Sequence, residues 1–220
     1  MASPRLWLIT GASSGISLEL AKIAAGRGER VIAATRSPEK LAGVTAARLD
    51  HNEPLPPIRA AVVAIVAVHG GIDVVVNNAA YVADGHGGVE ETTPDGTQQQ
   101  FLANAFGPIY AYQAVLPHLR SRGSGGVLVT LGSMATWLPD DRVQPVQRVE
   151  GDAAVAGWLA GWRSGSPTEE VRPFGVRHCL VEPGFFPHQA RRQPRPHGCG
   201  RARLPGYDGL NSDANYPEGQ

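Results

Sequence analysis

The stretch Thr10-Gly11-Ala12-Ser13-Ser14-Gly15-Ile16 has residue types and spacing suited to holding a phosphate. Glycines at 11 and 15 let a backbone approach a ligand closely, and free N–H groups at the start of a following helix would face its negative charge. The mostly apolar run Arg5–Ile9 ahead of the turn reads as a short buried strand. Behind it, Leu18, Leu20, Ile23 and Ala24 mark the apolar face of a helix running to about Gly28. Val31–Thr35 follows as a second strand, which completes a βαβ unit of the length that binds dinucleotides.

Other candidate residues fall at the ends of further strands. Ser37 and Pro38 read as a helix start, and Thr45–Leu49 as a third strand ending at Asp50. A helix over Pro57–His69 leads to a fourth strand, Ile72–Val76, closed by Asn77-Asn78-Ala79-Ala80. A loop rich in Gly, Asp and Thr precedes one long helix from about Thr97 to Ser121. Val127–Leu131 is a fifth strand with Gly132-Ser133 at its end, and Val176–Val181 a sixth that runs into Glu182-Pro183-Gly184. Alternating strands and helices predict a doubly wound parallel sheet, a three-layer α/β/α sandwich. Ligands of such sheets bind beyond the carboxyl ends of the strands, where Gly11, Asp50, Asn77, Ser133 and Pro183 all fall.

Composition narrows the function classes. The 220 residues suit a single domain, and equal acidic and basic counts give zero formal net charge, so nothing global favours nucleic acid or a membrane surface. The apolar run Ala60–Val68 is too short to span a bilayer, and the N-terminus has no signal-peptide pattern. Cys179 and Cys199 make neither a disulfide framework nor a CxxC pair, which predicts reduced thiols and a cytoplasmic protein. His188, His197 and Cys199 fit no metal-ligand spacing, so no metal is expected.

Taken together and in this order, the motifs resemble the short-chain dehydrogenase/reductase family, continuously over about residues 5–140 and again from about Arg172 to Phe186. The resemblance implies a Rossmann fold and a hydride transfer between a nicotinamide cofactor and a small carbonyl or alcohol substrate. Gly11, Ser13, Ser14, Gly15, Ile16, Arg36, Asp50, Asn77, Ala79, Pro183 and Gly184 are then the expected cofactor residues. Asn104 on the long helix and Ser133 stand where the family carries a catalytic asparagine and serine. NAD binders of this fold usually place an acid at the end of the second strand, whereas this chain reads Ala34-Thr35-Arg36. Arg36 suits a 2′-phosphate through its planar fork of donors, which favours NADP(H) over NAD(H). Members of the family often pair through the long helix, so a homo-oligomer is an open expectation.

Family spacing counted from Ser133 puts the catalytic tyrosine at Val146 and the lysine at Glu150. Valine exchanges no proton, and glutamate reverses the charge that would favour a phenolate. Val146–Gly151 can be encoded as GTA CAG CGC GTC GAA GGC, and removing the first base gives Tyr-Ser-Ala-Ser-Lys. Three readings follow: an impaired oxidoreductase, a non-catalytic nucleotide- or partner-binding protein, and the product of a one-base slip. Ser17 replaces the third glycine of the turn and is expected to weaken cofactor binding modestly. The Rossmann-type unit is expected to cover residues 1–186, with an irregular Arg-, Pro- and His-rich tail over 187–220.

Overall fold

The computed structural model describes residues 3–80, 93–132 and 170–183. Its sheet has the strand order β3-β2-β1-β4-β5-β6. The strands are β1 (Leu6–Thr10), β2 (Arg30–Thr35), β3 (Thr45–Arg48), β4 (Val74–Asn77), β5 (Gly126–Leu131) and β6 (Val176–Val181). Every neighbouring pair is parallel. Runs such as Val74-Val75-Val76 and Val31-Ile32-Ala33-Ala34 are buried throughout, as strands covered on both faces require. Chain order reverses between β1 and β4, the place where open parallel sheets carry a ligand crevice.

Each face of the sheet carries its own core. On one side Leu6, Leu8, Ile32, Val75 and Leu128 meet Ile58, Val62 and Ile65 of α2 (Leu55–His69) and Val115 and Leu119 of α4 (Gly107–Arg122). On the other, Ile9, Val31, Ala33 and Val76 pack with Ala21 and Ala24 of α1 (Gly15–Gly26). The small alanines of α1 let it lie close to the sheet, which brings its first turn near the carboxyl ends of β1 and β4. At the opposite edge Asp73 accepts from the Leu6 N–H at 2.7 Å and pairs with Arg122 at 2.9 Å, which joins the starts of β1 and β4 to the end of α4.

Most strand bounds shift by one or two residues from the sequence reading, as β4 does from Ile72–Val76 to Val74–Asn77, and three helical elements differ for identifiable reasons. Helix α2 begins at Leu55 rather than Pro57, because prolines in a first turn lack only N–H groups that have no helical partner. Ser37-Pro38 opens just one 3-10 turn, Pro38–Lys40, before the chain must return to β3. The expected long helix is interrupted: α3 (Pro94–Phe101) passes through a π-helical turn, Leu102–Phe106, into α4. Pro108 supplies the reason. It has no N–H for the Asn104 carbonyl, and the Gly107 N–H bonds to Leu102 O instead, one residue further back than in an α-helix. The expected 187–220 tail lies outside the described residues.

Candidate dinucleotide and active site

The glycine turn leaves β1 at Thr10 with Gly11 at φ +67° and enters α1 with Gly15 at φ +61°, both in the left-handed region that side chains disfavour. A Cβ on Gly11 would lie 2.7 Å from Ala79 Cα and 3.0 Å from Ala79 N, so the turn is pressed against the chain leaving β4. Gly11→Ala is expected to cost about 2 kcal/mol of stability from backbone strain and crowding. Urea denaturation of that variant reads the loss directly.

Gly15 is different, since a Cβ there would meet nothing within 4 Å. Leu18 is the first residue of α1 whose N–H finds a helical carbonyl, that of Ser14 at 3.4 Å. The N–H groups of Gly15, Ile16 and Ser17 therefore have no partner inside the helix. Ser14 occupies the N-cap position, yet its hydroxyl makes no capping bond. Ser13 and Ser14 are exposed, and Gly15 and Ile16 are half-buried. Open space, free amides and an uncommitted hydroxyl at a helix start fit a pyrophosphate.

The remaining candidates gather around this turn. The Ala12 N–H bonds to Ala34 O at 3.1 Å, and the Leu49 N–H to Thr35 O at 3.0 Å, which sets the ends of β1, β2 and β3 side by side. Arg36 is exposed immediately beyond β2. Asp50 Oδ1 accepts from the Asn52 N–H at 2.9 Å and from its side-chain Nδ2 at 3.2 Å. One oxygen of Asp50 thus shapes its own turn. Asn77, the last residue of β4, is buried and donates from Nδ2 to Pro108 O at 3.1 Å, which ties β4 to the start of α4. Asn104 is half-buried within the π-helical turn. Pro183 lies two residues past β6, and the Gly132 N–H bonds to Val181 O at 2.9 Å, so the ends of β5 and β6 also sit together. Ser133, Val146, Glu150 and Gly184 lie outside the described residues.

Three contributors were not legible as site residues. Thr10 Oγ1 accepts from the N–H groups of Asn78 and Ala79 at 3.1 and 3.2 Å, fixing the chain after β4. His51 sits wholly buried against Gly107, where a Cβ would lie 2.6 Å from His51 O and 2.7 Å from its Cγ. Burial pushes its imidazole down to about 4, partly offset by the backbone at Ala103 and Ala79 and by Asp50. Neither ring nitrogen completes a hydrogen bond of normal geometry among the described residues. Ser17, the replacement for the third glycine, is fully buried, and its hydroxyl donates to Thr10 O at 2.9 Å while accepting from Asn78 Nδ2 at 2.6 Å. The side chain fits because it is bonded on both sides.

The tyrosines of α4 take packing roles. Tyr112 is buried and its hydroxyl shares a hydrogen bond of 2.7 Å with Thr130, which lies 3.0 Å from His178 Nε2. Burial raises the Tyr112 phenol well above its usual range, which keeps it protonated at neutral pH. Tyr110 stacks on Phe106 with ring centroids 6.2 Å apart.

Comparison with known proteins agrees with this geometry. The family model for short chain dehydrogenases matches residues 5–145. Oxidoreductase BOA17 of Botryotinia fuckeliana is 31% identical over 192 residues, 82% of this chain and 65% of that protein. The chain therefore spans slightly less than two-thirds of that relative's length. Among solved structures, a short-chain dehydrogenase from Streptomyces avermitilis superposes with a TM-score of 0.72 at 32% identity, over 85% of this chain and 68% of that one. A metagenomic short-chain oxidoreductase in complex with NADP gives 0.67 at 28% identity, over 83% of each chain. A glycine turn at the point where strand order reverses, and a sheet and sequence shared with these proteins, make the chain a member of the short chain dehydrogenase family of oxidoreductases.

Proposed function

We propose that the protein binds NADP(H) and is built for hydride transfer to or from a small carbonyl or alcohol substrate, with turnover depressed by Val146 and Glu150. The observation that carries this is the open glycine turn, with its free helix-start amides, held against the end of β4 at the reversal of strand order. The nicotinamide, when bound, supplies or accepts the hydride. Gly11, Ser13, Ser14, Gly15 and Ile16 hold the pyrophosphate. Asp50 turns its second oxygen to the adenine, and Asn77, Ala79, Pro183 and Gly184 line the path towards the nicotinamide. Ser133 hydrogen-bonds the substrate oxygen, and Asn104 supports a water-linked proton path. The solved relative that carries NADP supports the cofactor class.

Arg36 supplies the preference for NADP(H), since β2 ends in Ala34-Thr35-Arg36 without an acid and the arginine is exposed there. Arg36→Ala is expected to weaken NADPH binding roughly tenfold or more, the worth of a charge-assisted hydrogen bond, and to leave NADH nearly unchanged. Fluorescence titration of the two nucleotides checks this, and equal losses for both would remove the 2′-phosphate role.

Val146 and Glu150 favour a second reading, a nucleotide- or partner-binding protein that kept the scaffold without its chemistry; a one-base slip over 146–151 would produce the same residues. NADPH titration followed by a turnover assay on a carbonyl panel separates the two. Binding with measurable turnover upholds the impaired enzyme, and binding without turnover the second reading. Resequencing the encoding DNA tests the slip, which fails if the codons cannot give Tyr and Lys in the shifted frame. Among the described residues no helix is long and apolar enough to cross a membrane. Residence in the cytoplasm, inferred from the cysteine usage, belongs to the same proposal.

A further inference from the structure

Two hydroxyls hold one residue at the crevice. Thr10 Oγ1 takes the main-chain N–H of Asn78, and of Ala79 beyond it, at 3.1 and 3.2 Å, while donating to Val76 O at 3.3 Å. Ser17 Oγ takes the side-chain amide of the same Asn78 at 2.6 Å and donates to Thr10 O at 2.9 Å. These two residues bracket the nucleotide turn, one at the end of β1 and one in the first turn of α1. The hydroxyl of Ser17 is used in both directions, and its side chain is fully buried. Turns of this kind carry glycine at that position, for close packing of helix on strand. Here the same space holds a cross-link.

We propose that Ser17 is a positioning residue of the nucleotide site: its hydroxyl, bridging Thr10 O and the Asn78 amide, locks the glycine turn against the chain leaving β4. It acts through Asn78 and the turn rather than by touching the cofactor. Three groups depend on that lock. The Gly15 and Ile16 amides keep their direction because α1 cannot rotate about its first turn. Ala79 stays against Gly11, where the approach leaves no slack. This deepens the dinucleotide reading, on which the affinity measurement below rests; the exchange measurement is independent of it.

The test uses the full chain with Ser17→Ala, Ser17→Gly, Asn78→Ala and Ser17→Ala/Asn78→Ala. NADPH affinity is read by fluorescence under conditions where each variant is folded, and amide hydrogen exchange is followed at Asn78 and Ala79. Ser17→Ala and Ser17→Gly are each expected to weaken NADPH about tenfold, the worth of a buried hydrogen bond. The double variant should be no weaker than the worse single, because both remove one interaction. Exchange at Ala79 should quicken about tenfold in all of them, since each removes the side-chain tie at Asn78 that holds the chain leaving β4 against α1. A Ser17→Gly variant that binds NADPH as tightly as the parent, or additive losses in the double variant, would overturn the proposal. If the parent binds no dinucleotide, the dinucleotide reading fails by itself, and exchange alone decides: quickened exchange upholds the lock and unchanged exchange removes it.

Discussion

Placing Tyr at Val146 and Lys at Glu150 in one variant is expected to raise turnover of a carbonyl with NADPH by about 10²- to 10⁴-fold, the usual contribution of a positioned general acid or base. The parent has no group at position 146 able to give a proton to the developing alkoxide. Tyrosine alone should recover only part of the rate. With Glu150 still in place, a negative charge four residues away in sequence raises the phenol and opposes proton release. Lysine at 150 reverses that sign. NADPH affinity should change far less than turnover, because the nucleotide turn, Arg36 and Asp50 are untouched. Steady-state kinetics on both proteins make the comparison. Equal turnover by parent and double variant would show that the protein performs its chemistry without this pair.

Acid is expected to destabilise the fold over a defined window. His51 is held neutral, its value lowered from 6.5 to about 4 by burial. Above pH 6.5 the folded and unfolded chains both carry a neutral imidazole, and the full stability is present. Between pH 6.5 and about 4 the unfolded chain binds a proton that the folded chain refuses, so stability falls with falling pH. Below about 4 the folded form is protonated as well, and the loss levels off. A shift of this size corresponds to about 3 kcal/mol. His178 is also lowered to about 4 by burial, and its partial exposure makes its share smaller through solvent screening. Urea denaturation at pH 7.5 and pH 4.5 measures the difference. His51→Leu should flatten most of the dependence, because it removes the larger titration while keeping an apolar group against Gly107. A parent equally stable at both values would mean that His51 is solvated in the folded state.

The strands were legible because buried parallel strands leave short apolar runs ended by Gly, Asp or Asn, as at Thr10-Gly11 and Val76-Asn77; their order in the sheet was not, since it depends on which strands meet across the fold. The glycine turn was legible for the same reason as the strands, since its glycines sit between a strand and an apolar helix face. The interruption of the long helix was not legible: the sequence predicts one helix over about Thr97–Ser121, and a proline alone does not mark the break, since Pro117 lies inside α4 without one. Long-range partners were not legible. Ser17 looked like a misfit in the turn, and only its partner Asn78, 61 residues away, makes its burial favourable. His51, between Asp50 and Asn52, carries no local signal of burial; it is buried where Gly107 of α4 lies against it. Such residues depend on how two distant elements meet, which local pattern does not encode.

A crystal structure grown with saturating NADPH tests the central claim most directly. The account predicts pyrophosphate oxygens within hydrogen-bond distance of the Gly15 and Ile16 N–H groups, with the Arg36 guanidinium on the 2′-phosphate. A turn left empty, blocked by protein, or bypassed by a nucleotide bound elsewhere would contradict it.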